Sequence, residues 1–265
     1  MSAATRHGRI PTRSASVGFA AVAALVTLAA APSPPQTAIL PSRVARTVPW
    51  RPDLPIFVEA TVGEISISGS DRPDLDIEVR RAGRNATDAT LPLVVDESPD
   101  AVRVSAVQPD EATDPAIRSV MTILAPAKAR FESVDLVEGR LSLSNLSGAV
   151  SARVSRGDVT ASRLSGRVRI ETGIGDIELD RADLVPGGLI RLRAFNGHVT
   201  LRFARRPADA RILALVLNGD IRSDIPLQRT DRFGPRFAET TLGRGAPVVS
   251  LDVVTGTITI TAPKS

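Results

Sequence analysis

Between positions 139 and 175 glycine falls every nine residues, at Gly139, Gly148, Gly157, Gly166 and Gly175. After each beat apolar side chains take the same two offsets: Leu141 and Leu143, Val150 and Ala152, Val159 and Ala161, Val168 and Ile170, Ile177 and Leu179. Such alternation puts every second side chain in a core, and a glycine between two runs turns the chain through a conformation costly to other residues. Ser142, Ser151, Arg153, Thr160, Ser162, Arg169, Glu171 and Glu178 fall at outward positions, while Leu146 and Leu164 fill a further inward corner. The unit returns less evenly in FNGHVTLRF, LNGDIRSDI and VTGTITITA, led by Gly197, Gly219 and Gly256.

One unit cannot bury its own apolar side, but stacked units share a continuous core. Two units per coil predict an all-β, parallel β-helix-like solenoid of short glycine-led strands. A twisted antiparallel meander or a β-sandwich, with turns at the same glycines, is the alternative. Period-two alternation begins at Ile56, in IFVEATVGEISISG, and continues in LDIEVRR, LPLVV and AVRVSAV. EATDPAI reads as a surface loop, and SVMTILAP as the strand leading into the regular part. No later segment shows an apolar stripe of helical period.

The first 31 residues differ in kind. Arg6, Arg9 and Arg13 precede the apolar run SVGFAAVAALVTLAAA and then PSPPQ, the layout of a signal peptide with small residues at Ala29 and Ala31 for cleavage. An uncleaved N-terminal anchor is the rival reading and the only membrane contact expected. Residues 32–55 carry Pro32, Pro34, Pro35, Pro41, Pro49, Pro52 and Pro55, predicting a stiff leader outside the sheet, with Trp50 covering the end of the core. Residues 56–262 are then the β-strand-repeat domain. The chain is expected to be exported, to the periplasm, cell envelope or extracellular space.

Composition removes most chemistry. There is no Cys, so disulfides, thiolate nucleophiles and thiolate metal sites are absent together. Of the two histidines, His7 lies in the export segment and His198 follows a repeat glycine, so His198 alone would have to serve as the base of any serine triad, no GxSxG accompanies it, and no histidine pair remains for a metal centre. No catalytic residue, cofactor or metal is expected. The formal charge of +4 comes mostly from the first 31 residues; without Arg6, Arg9 and Arg13 the basic side chains fall from 33 to 30, against 29 acidic ones. With charges mixed and aromatics scarce, no nucleic acid partner is expected.

Under an eighteen-residue coil Arg140, Asp158 and Asp176 share one column, and Ala149 and Arg167 another. Asp158 above Asp176 at strand spacing is repulsive unless a turn amide, an arginine or a cation compensates. Asp158, Asp176, Arg167 and Arg169 are therefore the candidate surface site. With Asp220 they are also the groups a polysaccharide lyase or glycosidase would need to bring together, although no Tyr is present to stack on a sugar and the one Trp, Trp50, precedes the repeat. Arg156-Gly157-Asp158 spells a recognition triplet, but its glycine belongs to the beat. GIGDIEL at 173–179 is a single weak copy of a calcium-type repeat.

The glycine-led repeats of 139–180, the run-in TILAPAKARFESVDLVEG at 122–139 and the closing TGTITI at 255–260 resemble the bacterial family of exported β-strand-repeat proteins called putative adhesins. The resemblance implies a right-handed stack at the cell envelope and transfers no catalytic residue. It covers about residues 56–262; RRP at 205–207 and LGRGAP at 242–247 depart from the even beat. The expected function is noncatalytic: a rigid face presented to an envelope or extracellular macromolecule, a glycan or a protein. A polysaccharide-active enzyme and a purely structural or sensor-associated envelope protein are the alternatives.

Overall fold

In the computed structural model, residues 43–82, 93–107, 118–230 and 234–263 are described, and every regular element among them is a strand of one large mixed sheet. In chain order these are β1 (Arg43–Pro49), β2 (Pro55–Ser70), β3 (Asp74–Ala82), β4 (Val94–Glu97), β5 (Val102–Ala106) and β6 (Arg118–Pro126). The regular region supplies β7 (Arg130–Ser144), β8 (Val150–Arg156), β9 (Val159–Ser162), β10 (Arg167–Ile174) and β11 (Ile177–Ala182). Then follow β12 (Leu189–Asn196), β13 (Val199–Phe203), β14 (Ala210–Ser223), β15 (Gln228–Thr230), β16 (Arg236–Leu242) and β17 (Val248–Thr261).

The nine-residue beat becomes two arms per layer. In β8 Val150, Ala152 and Val154 are buried; the chain bends at Gly157, and in β9 Val159 and Ala161 are buried. Leu164 closes the layer from the turn that follows, fully buried like Leu146 one layer below. The next layer repeats this eighteen residues on, with Val150 beside Val168 and Val159 beside Ile177 in parallel register. Each inward side chain therefore stacks on its equivalents, and dispersion and burial accumulate along columns. Ladder bonding satisfies the backbone of both arms, as buried amides and carbonyls require.

A glycine column runs through the bends. Gly63, Gly139, Gly157, Gly175, Gly197, Gly256 and Gly219 all have φ between 138° and 153°, and each sits on the one before. A Cβ placed on Gly157 would lie 1.7 Å from the carbonyl oxygen of Gly139, so any side chain there would overlap the backbone of the layer below. Gly148 and Gly166 lie at the other turn, where a Cβ would meet carbonyl oxygens of 127–148 segment backbone at 2.1 Å and 2.5 Å.

Layer order does not follow chain order at either end. β12 and β13 pair not with β14 but with β17, which lies between them and β14. The alternation VVSLDVVTGTITIT makes β17 apolar on its inward side through both arms, and a parallel neighbour on each side uses all its ladder groups. At the other end β2 has β7 on one side and β5 and β6 on the other. Antiparallel strands finish both ends: β4 on β5 and β3 on β6 at one, β16 on β14 and β15 on β16 at the other. The outer side of β14 beyond Val216 is closed by the Arg229 side chain, which donates to the Ile221 carbonyl at 2.8 Å.

The leader departs from expectation. Arg43–Pro49 is a strand, antiparallel to β3, so part of the segment expected to lie outside the sheet is in it. The reason is local: no proline falls between Arg43 and Val48, so every amide donor is intact, and Pro49 ends the strand on an edge. Trp50 packs half-buried against the core, where its indole nitrogen is buried and has no partner among the described residues. Residues 1–31, with His7, and the loop EATDPAI lie outside the described residues.

Candidate functional site

At the bend, the residue after each glycine faces out. Asp158 Oδ1 accepts the backbone N–H of Asp176 at 3.0 Å, and Asp176 Oδ1 accepts that of His198 at 2.7 Å. The Asp158–Asp176 column is thus compensated by turn amides: each carboxylate caps the amide one layer on. No ion pair joins Arg140 to Asp158 among the described residues, and no three His, Asp or Glu side chains among them converge to hold a metal ion. Asp220, after Gly219, is held instead by Arg236 at 2.8 Å and Arg222 at 3.7 Å.

The outer face of the first arm is a charge ladder. Parallel register lines up Glu59, Asp135, Arg153, Glu171, Arg193 and Asp252 across six strands. From Asp135 onward the sign alternates, and opposite charges on adjacent strands attract at strand spacing. Arg153 lies 3.7 Å from Glu171. One row over, Arg169 stands opposite Ser151 on one side and Arg191 on the other, a like-charged pair in register. Asp252 reaches Arg191 at 3.9 Å, while the Arg191 Nε is buried without a hydrogen-bond partner.

The outer face of the second arm is a hydroxyl ladder. Thr122, Ser66, Ser142, Thr160, Glu178, Thr200 and Thr259 follow one another in register. Beside them Ser68 and Ser144 share a hydrogen bond of 2.9 Å. The one acidic member, Glu178, pairs with Arg202, which raises the arginine pKa from its ordinary value. Small hydroxyls repeated at strand spacing make this face flat and polar.

The four candidate residues do not form one cluster. Asp158 and Asp176 sit at the bend, whereas Arg167 and Arg169 begin β10 on the first arm, and Arg169 precedes Asp176 by seven residues, roughly 20 Å of extended chain. Asp220 occupies the bend column two layers past His198. The triplet Arg156-Gly157-Asp158 is the bend itself, its carboxylate spent on Asp176 and its arginine 3.8 Å from Glu138. A row of exposed apolar side chains on the first arm, Val137, Phe195 and Leu217 with Leu215 beside it, was not anticipated. For Leu215 and Leu217 the signal is the unbroken apolar run ILALVL at 212–217, which cannot face inward throughout; Val137 and Phe195 have no such signal.

No family model matches the chain, and no curated protein matches it. Among solved structures it is similar to a putative cell adhesion protein from Clostridium sporogenes ATCC 15579, with a TM-score of 0.48 and 11% identity over 83% of this chain and 100% of that one. It is also similar to a putative adhesin from Bacteroides fragilis NCTC 9343, with a TM-score of 0.29 and 15% identity over 83% and 97%.

Proposed function

We propose that this chain is an exported, noncatalytic envelope or surface protein whose two outer strand faces bind or scaffold another macromolecule, in the manner of an adhesin. One observation carries the reading: parallel register holds charged side chains on one arm and hydroxyls on the other in straight rows at strand spacing, on backbone paired on both sides. A row of preorganised groups loses little entropy on contact and suits a partner that itself repeats, such as a glycan or an extended protein segment. In this reading the bends and parallel layers are those of a right-handed β-helix-like stack, and the turn glycines are structural. Residues 1–31 are the signal peptide or anchor, and the leader that follows ties into the sheet through β1.

Protease accessibility on intact and on lysed cells tests it, reading a tagged chain and its size. Digestion on intact cells supports an outward, adhesive face. Protection until lysis moves the protein to an inward-facing scaffold, and a cytoplasmic chain that retains residues 1–31 overturns the reading.

A further inference from the structure

The two stretches that break the even beat meet in space. RRP and LGRGAP lie in the loops after β13 and β16, and with the loop after β11 they enclose a cleft of about 520 Å³, the size of a small-molecule site. Two of its arginines are held by aspartates. Asp183 receives Arg205 at 3.0 Å and 3.3 Å, and Asp209 receives the backbone N–H of Arg244 at 2.8 Å and its guanidinium at 3.3 Å. Arg206 lines the same cleft and has no partner among the described residues. The floor is Phe203, nearly fully buried, and the walls carry the rings of Pro186, Pro207 and Pro247.

We propose that this cleft binds the carboxylate of an acidic sugar, a hexuronate unit of a glycan. Three arginines against two aspartates leave one positive charge, which matches a monoanion and leaves a dianionic phosphate ester half unpaired. The free guanidinium of Arg206 offers the planar fork that fits a carboxylate. The short proline faces suit the C–H side of a ring, and they are too few to bury an alkyl tail. Both sequence departures are then explained: the regular turn RLSG has no room for a cleft, and the longer loops make one. The inference rests on the binding-protein reading above and names a ligand class for it.

The test is calorimetric titration of the purified full chain with trigalacturonate at low salt, with galactotriose and inorganic phosphate as comparators. The trigalacturonate is expected to bind, weakening as salt is added, and galactotriose not to bind. Arg206→Ala should weaken binding about tenfold with an unchanged melting temperature, since the side chain is exposed and unpartnered, and Arg206→Lys should fall between. No binding by the natural chain, equal binding by Arg206→Ala, or phosphate binding as tightly overturns the proposal. Retention of the same chain on an envelope fraction is measured in parallel: retention without uronate binding overturns the cleft alone, and loss of both overturns the cleft and the reading beneath it.

Discussion

The layers from Gly139 to Asp180 and those from Asp183 to Thr261 share one cross-section but keep it by different means. In the first region each layer is the previous one moved by eighteen residues, and the four-residue turn RLSG closes it over a fully buried Leu164. In the second the step from Val168 to Ile190 is twenty-two residues, the corner of Leu146 and Leu164 is taken by the smaller, buried Ala182 with a half-buried Leu184 two residues on, and chain order and layer order separate. Regular layers leave no space between turns, so they can offer only their faces. The second region trades repetition for a cleft, and its longer turns add Asp–Arg contacts to the buried Ala182 and Phe203.

The sharpest way to break this comparison is to put a side chain on the glycine column. Gly157→Val with Gly166→Val should abolish cooperative folding or cost more than about 4 kcal/mol, because both the positive φ and the 1.7 Å overlap must be relieved against backbone. Gly187→Ala in the second region, at φ 75° with nothing within 4 Å of its Cβ, should cost only about 1 kcal/mol of backbone strain. Denaturant melts of both read the contrast. Equal losses would mean that the column is not a packed contact.

Two turn leucines, one in the core corner and one two residues past it, give the next contrast. Leu164→Ala empties a fully enclosed site and should cost about 2–5 kcal/mol, whereas Leu184→Ala, already in contact with solvent, should cost about 1 kcal/mol. Of similar size is Asp158→Ala, which removes the acceptor of the Asp176 amide and should cost about 1 kcal/mol. Because amides already serve these carboxylates, calcium and chelator should leave the melting temperature unchanged. A calcium-dependent rise would restore the cation that the column geometry first suggested.

Much of the first region is legible in the sequence. Period two set which of Val150, Ser151, Ala152 and Arg153 faces the core and the glycines marked the bends, since both are local properties of the chain, whereas the parallel eighteen-residue step competed with antiparallel pairing until the pairing of Val150 with Val168 decided it. Layer order was not legible. Placing β17 between β13 and β14 depends on which of two similar apolar strands gains two neighbours, and that is a comparison between distant segments. For the same reason the candidates Asp158 and Arg169, close in sequence, are separated by the length of a strand, while RRP and LGRGAP, about forty residues apart, share one cleft. Gly63 escaped notice because its partner in the column, Gly139, is seventy-six residues on.

The smallest expected effect sharpens the comparison by pH. Asp209 has its pKa lowered from the ordinary 3.8, first by the backbone N–H of Arg244 and then by its guanidinium. A carboxylate depressed in the folded chain contributes stability that is complete above 3.8 and is lost as pH falls through the folded value. The loop carrying Arg244 should therefore loosen only below about pH 4. Asp209→Asn should remove that dependence while leaving the regular layers untouched. Amide hydrogen exchange at Arg244, compared with Val159 in the ladder between pH 5 and 3, reads both. Arg244 losing protection at low pH while Val159 keeps it is the expected result. Parallel loss at the two sites would mean that the second region is not held separately by its ion pairs.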